Sequence, residues 1–184
     1  SYFLNQEQIL KKVHFLVIGL GNDNFTSDSI GPKVLKELHI NAFVNQLGLT
    51  LQENRISALE PGSLYETGID TAKIVKSVVE SVKPNILICL DAFVCENKKY
   101  LNHSIEITNC GIIPGSGLKG WNQEISKKTM GIPVITIGIP TAIELLLENT
   151  PYLLSTKDID EYVAKIAKLV GESLNEVLPT YGLS

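Results

Sequence analysis

The feature that most limits what this chain can fold into is an alternation of hydrophobic period. Three nearly continuous apolar runs, VHFLVIGL at 13–20, NILICLD at 85–91 and IPVITIG at 132–138, are separated by stretches whose apolar residues recur every three or four positions. Runs rich in branched residues and lacking polar alternation are what strands covered on both faces require. The intervening stripes are helical. One holds Ile30, Val34, Leu35 and Leu38, and the next Ile69, Ile74, Val75, Val78, Val79 and Val82. A closing helix carries Ile159, Tyr162, Val163, Ile166, Val170 and Leu174. Strands alternating with helices predict an α/β fold, a three-layer α/β/α sandwich with a mostly parallel central sheet. With 184 residues the chain suits one domain, 1–184, in which 1–12 is an N-terminal segment and 155–178 the C-terminal helix.

Local signals refine this outline. A helix is expected to begin at Asp28, with Pro32 tolerated in its first turn. A second runs from Thr67 to Lys83 and stops at Pro84, and TAIELLLEN at 141–149 starts another after Pro140. Ser155 and Asp158 resemble a capping box for the closing helix. NRISAL at 54–59 and SIEIT at 104–108 read as short strands, the latter at a sheet edge. The stretch from about 109 to 131 is the one long irregular loop, and such loops inside compact domains are usually functional.

Several functional classes are excluded early. A net charge of -4 and a pI near 5.4 leave no electrostatic footprint for nucleic acid, although a basic protein would be attracted. No apolar run approaches the roughly 20 residues that span a bilayer, and the start SYFLNQEQILKK lacks the layout of a secretory signal, so a cytoplasmic protein is expected. Cys89, Cys95 and Cys110 form an odd set without CxxC spacing, which reads as reduced thiols. GLGN at 19–22 is not a dinucleotide fingerprint, because GxGxxG needs glycine where Asn24 stands. His14, His39 and His103 are scattered, and Ser116 lies in PGSG rather than in a nucleophile elbow.

What remains is acidic. In parallel sheets ligands bind beyond the carboxyl ends of the strands, and two aspartates fall there: Asp28, after the turn that follows the first strand, and Asp91, directly at the end of NILICL. Asp28 alone reads first as a helix cap. Asp91 is harder to explain structurally, since a carboxylate abutting ILICL must be bonded or bear a desolvation cost. The loops carrying Pro61-Gly62 and Gly115-Ser116-Gly117 border the same crevice. No cofactor is called for, and no metal is assigned, though a carboxylate pair could equally hold a divalent ion.

Three segments together are more specific than any one of these signals. GLGNDNFTSDSIGP, EPGSLYETGIDTAKIVKSVVESVKPNILICLDA and IEITNCGIIPGSGLKGWNQEISKKTMGIPVITIGIPT, in that order, resemble the germination protease (spore protease) family of spore-forming bacteria. The resemblance runs from about residue 15 to 145, and STKDIDEYVAKIAKLVGESLNEVL is similar to the family's C-terminal helix. It implies an endopeptidase of unusual aspartic type that degrades small acid-soluble spore proteins at germination, within the cytoplasm of the spore core. It implies a phosphorylase/hydrolase-like fold, similar also to hydrogenase maturation proteases, in which the corresponding acidic residues contact nickel. The family's essential aspartates match Asp28 and Asp91, and the resemblance implies that this pair shares one proton, leaving one base and one acid for peptide hydrolysis with the roles not assignable between them, while backbone donors from Gly21-Asn22 or from Gly115-Ser116-Gly117 hold the oxyanion. Basic or DNA-associated spore proteins are the implied partners, with neither nucleic acid nor membrane, and a homo-oligomer is left open.

The chain departs from the family pattern at Asp23 and Ser27, where Trp and Pro are usual, at Ile113 in place of His, and at Cys95-Glu96 in place of Ser-Arg. The family's longer enzymes also have an N-terminal pro-segment and an insertion before the last helix, so zymogen control and tetramer formation are not carried over. A noncatalytic spore-associated binding protein with this fold, or a metal-dependent maturation-type peptidase, are the competing expectations.

Overall fold

The computed structural model describes residues 12–47, 49, 53–115 and 123–182. A parallel core is formed by β1 (His14–Gly19), β2 (Arg55–Leu59), β3 (Ile86–Cys95) and β5 (Val134–Leu147), in the order β2-β1-β3-β5. The edge strand β4 (Glu106–Thr108) joins β5 antiparallel, and β6 (Thr150–Leu154) folds back on the far end of β5. The sheet is thus mostly parallel, as the continuous apolar runs require.

Alternation along β1 shows why both faces must be covered. Phe15 and Val17 pack into one core with Ile30 and Val34 of α1 (Ile30–Glu37) and Val163, Ala167 and Val170 of α4 (Ile159–Val177). Leu16 and Ile18 point the other way, into a core with Ala72, Val75 and Val79 of α3 (Thr71–Val82). These two cores make the three layers. Gly31, in the first turn of α1, lets that helix press onto the exit of β1. A Cβ there would lie 2.2 Å from the Leu20 carbonyl oxygen.

Four sequence expectations are corrected. TAIELLLEN is not a helix. β3 runs on past Asp91 to Cys95, giving Ala142 and Ile143 pairing partners in Val94 and Cys95, and β5 continues to Leu147. Glu148 and Asn149, both at positive φ (50° and 65°), then close a two-residue hairpin turn into β6. The helix after β1 begins at Ile30, because Thr26–Asp28 forms a 3-10 turn instead. The stripe from Thr67 is broken: α2 (Leu64–Thr67) ends at left-handed Gly68, and Asp70 caps α3 by accepting from the Ala72 N–H at 3.0 Å, which leaves Ile69 exposed. Ser155 makes no capping box, its hydroxyl instead donating to the Thr141 carbonyl at 2.6 Å.

The amino-terminal end of the sheet is tied by one buried amide. Asn54 Oδ1 accepts from the Val13 N–H at 2.8 Å, its Nδ2 donates to the Leu178 and Tyr181 carbonyls at 2.9 and 2.7 Å, and its own N–H reaches the Pro179 carbonyl. Removing these partners leaves buried donors and acceptors unpaired. Asn54→Ala is expected to cost about 3 kcal/mol of stability, read as a lowered urea midpoint with unchanged slope. A shift within error of zero would refute the tie.

Candidate active site

The turn between β1 and α1 is built around Gly21. At φ 104° it sits where only glycine is comfortable, and a Cβ would fall 2.0 Å from the Asp28 carbonyl oxygen. The chain therefore curls tightly enough for the Asn22 N–H to donate to that carbonyl at 3.1 Å, while Asp28 N–H donates to Phe25 at 2.8 Å. Ser29, not Asp28, occupies the cap position of α1. The capping explanation of Asp28 is thereby removed, and its carboxylate is left to face inward.

Asp91 arrives by a different route. It stands in β3 opposite Gly138 of β5, one residue past the bond from the Leu20 N–H to the Leu90 carbonyl that extends the β1–β3 ladder. Both aspartates line one cavity of about 800 Å³ beyond the carboxyl ends of the parallel strands. Its wall is largely apolar: Leu20, Phe25, Phe93, Ile112 and Leu153 contribute, with Gly62, Tyr65 and Thr141 at intervals.

Such surroundings penalise charge. Asp91 is 8% exposed, and burial, with the negative charge of Asp28 added, pushes its carboxyl up to about 8. The Ala92 N–H, donating to Oδ1 at 2.9 Å, opposes this only in part. Burial raises Asp28 as well, to about 6, against the pull of the Asn22 backbone N–H and with a small further push from Glu66. Both carboxyls are thus held above the ordinary carboxylate range, the more deeply buried Asp91 further than Asp28. Cys89, two residues before Asp91, is fully buried, and burial together with the charge of Asp91 drives its thiol upward, so it is no nucleophile.

Of the backbone donors expected at the oxyanion, Gly21, Asn22 and Gly115 do line the cavity. The N–H of Asn22 is committed to the Asp28 carbonyl, so Asn22 shapes the turn. Ser116, Gly117 and Trp121 lie outside the described residues. Among the described residues no group of three or more His, Cys, Asp or Glu is gathered as a metal site, and Asp28 and Asp91 are the two carboxylates that line the cavity. All three cysteines are free. His14 is buried beside Ser57 at the opposite end of the sheet, where burial and Arg55 lower it to about 4. Of the departures from the family pattern only Ser27 lines the cavity, and Asp23 pairs with Lys36 on the surface. Sequence reasoning missed Thr141, Phe93 and Leu153, because the strand extensions that carry them were unrecognised.

Fold and site together define an α/β/α protein with an acidic pair at the ends of its parallel strands. The same fold is seen in a NiFe hydrogenase maturation protease from Thermococcus kodakarensis KOD1, with a TM-score of 0.52 and 17% identity over 90% of this chain and 94% of that one. A family model described as germination protease matches residues 1–149. Germination proteases of Bacillus cereus (strain AH187) and Bacillus thuringiensis subsp. konkukian (strain 97-27) are each 37% identical over 147 residues, which is 78% of this chain. The chain belongs to the germination protease family. It spans 40% of the length of these curated relatives, and the family match ends within the β5–β6 turn.

Proposed function

We propose that this chain is an endopeptidase whose Asp28 and Asp91 activate water against a peptide bond. One observation carries the reading: two carboxylates from separate elements enter one apolar cavity, and their unequal burial supports different protonation states. Ionised Asp28 takes a proton from the attacking water, and protonated Asp91 gives its own to the carbonyl oxygen. As the tetrahedral intermediate collapses, Asp28 passes its proton to the leaving nitrogen and Asp91 recovers one from the hydroxyl. The N–H groups of Gly21 and Gly115 are the candidate donors to the developing oxyanion. Family membership supports a substrate among small acid-soluble spore proteins, cleaved in the spore core. A basic, DNA-associated protein would be attracted by the chain's net charge of -4.

The test is incubation of the purified chain with a small acid-soluble spore protein, with fragments followed by mass spectrometry. Discrete fragments are expected, formed fastest between the two carboxyl values of about 6 and about 8 and unaffected by a chelator. An intact substrate throughout that range, with a folded chain, would overturn the proposal.

A further inference from the structure

The register between β3 and β5 is broken at one place. Phe93 faces Pro140 and Val94 faces Ala142, so Thr141 is an extra residue without a partner in the parallel ladder. Bulges of this kind re-aim a side chain and are frequent beside active sites. Here the re-aimed group is a hydroxyl. Thr141 is 1% exposed, lines the cavity, and donates through Oγ1 to the Ser27 carbonyl at 2.5 Å. Its own carbonyl accepts from Ser155 Oγ, which ties the bulge to the segment after β6.

We propose that Thr141 is a positioning residue: its hydroxyl fixes the Ser27 carbonyl, and through it the neighbouring Asp28, against Asp91. This rests on the peptidase reading of the site. The 3-10 turn bearing Asp28 is held within its own loop by the Asn22 N–H donating to the Asp28 carbonyl and the Asp28 N–H donating to the Phe25 carbonyl. Ser29 Oγ bonds back to the Thr26 carbonyl within the turn, and Thr26 Oγ1 donates to Asp160 at an exposed contact. Among the described residues, the bond from Thr141 is therefore the part-buried side-chain hydrogen bond that links this turn to the sheet that carries Asp91. The charged groups facing Asp28 are Asp91 on β3 and Glu66 on α2, while Asp160 and the Asp23–Lys36 pair flank the turn at the surface. β5 presents only the uncharged Thr141.

Small misplacements of a reacting group can cost up to about a hundredfold in rate. In the full chain, Thr141→Val is expected to lower kcat about 10- to 100-fold with KM within about twofold, and Thr141→Ser to recover most of the loss. A loosened turn admits water to Asp28, so the acid limb of the pH profile should move to lower pH in Thr141→Val and stay in place in Thr141→Ser. Thr141→Ala gives the same comparison if the valine variant fails to fold. Wild-type kcat in the folded valine or alanine variant would overturn the proposal, as would a loss shared equally by the serine variant with the acid limb unmoved. If the wild-type chain cleaves nothing, the peptidase reading fails by itself. Carbon-detected NMR titration of Asp28 in wild type and Thr141→Val then decides: a lower titration point in the variant supports positioning, and an unchanged one refutes it.

Discussion

Asp28→Asn and Asp91→Asn should each reduce kcat by about a thousandfold or more, because either change removes one of two proton-transfer groups that act in a single step. The double variant should lose little beyond either single one, since members of a catalytic unit are grossly non-additive. The two are not equivalent in other respects. Asp28→Asn removes the charge that raises Asp91, so the remaining carboxyl should titrate lower than about 8. Circular dichroism establishes that the variants are folded, and single-turnover cleavage measures the loss. A folded Asp91→Asn retaining a tenth or more of wild-type kcat would show that the pair is not the catalytic centre.

The second large effect is on stability, with the opposite sign. Asp91 has a value raised from 3.8 to about 8 in the folded chain. The folded state thus binds its proton more tightly than the unfolded state does, and this favours folding fully below the unfolded value. The advantage is lost as pH climbs from about 4 through 8. For a carboxyl this deeply buried the loss is on the order of 4 kcal/mol. Asp28, raised in the same direction, adds to the decline over its own range up to about 6. Urea midpoints measured at pH 5 and pH 8.5 should therefore fall in wild type and fall much less in Asp91→Asn. At the alkaline end the inactive variant should be the more stable protein. Equal declines in both would mean that Asp91 is not held protonated.

Much of this was legible in the chain. Continuous apolar runs at 13–20, 85–91 and 132–138 became the parallel core, and the strand-end argument selected Asp28 and Asp91, which the fold brings to one cavity. What escaped notice depends on partners that a local pattern does not reveal. AIELLL fits a helix as well as a strand when seen alone, and only the length of β3 alongside it decides the matter. Thr141 was hidden by the same ambiguity, since a bulge exists only relative to the opposite strand. The break at Gly68 was more accessible. Glycine followed two residues later by a capping aspartate, Asp70, is a stop and a start in one short phrase.

The amide of Asn54 finds its acceptors 124 and 127 residues further along the chain, at Leu178 and Tyr181. During synthesis, β1 and β2 leave the ribosome long before those carbonyls exist. The Asn54 part of the fastening at the amino-terminal end of the sheet stays open until nearly the whole described chain has emerged. Closure of this fold in that sense waits on residues 178–181: a nascent chain holding both aspartates but not yet these residues would still lack the Asn54 fastening at the other end of the sheet.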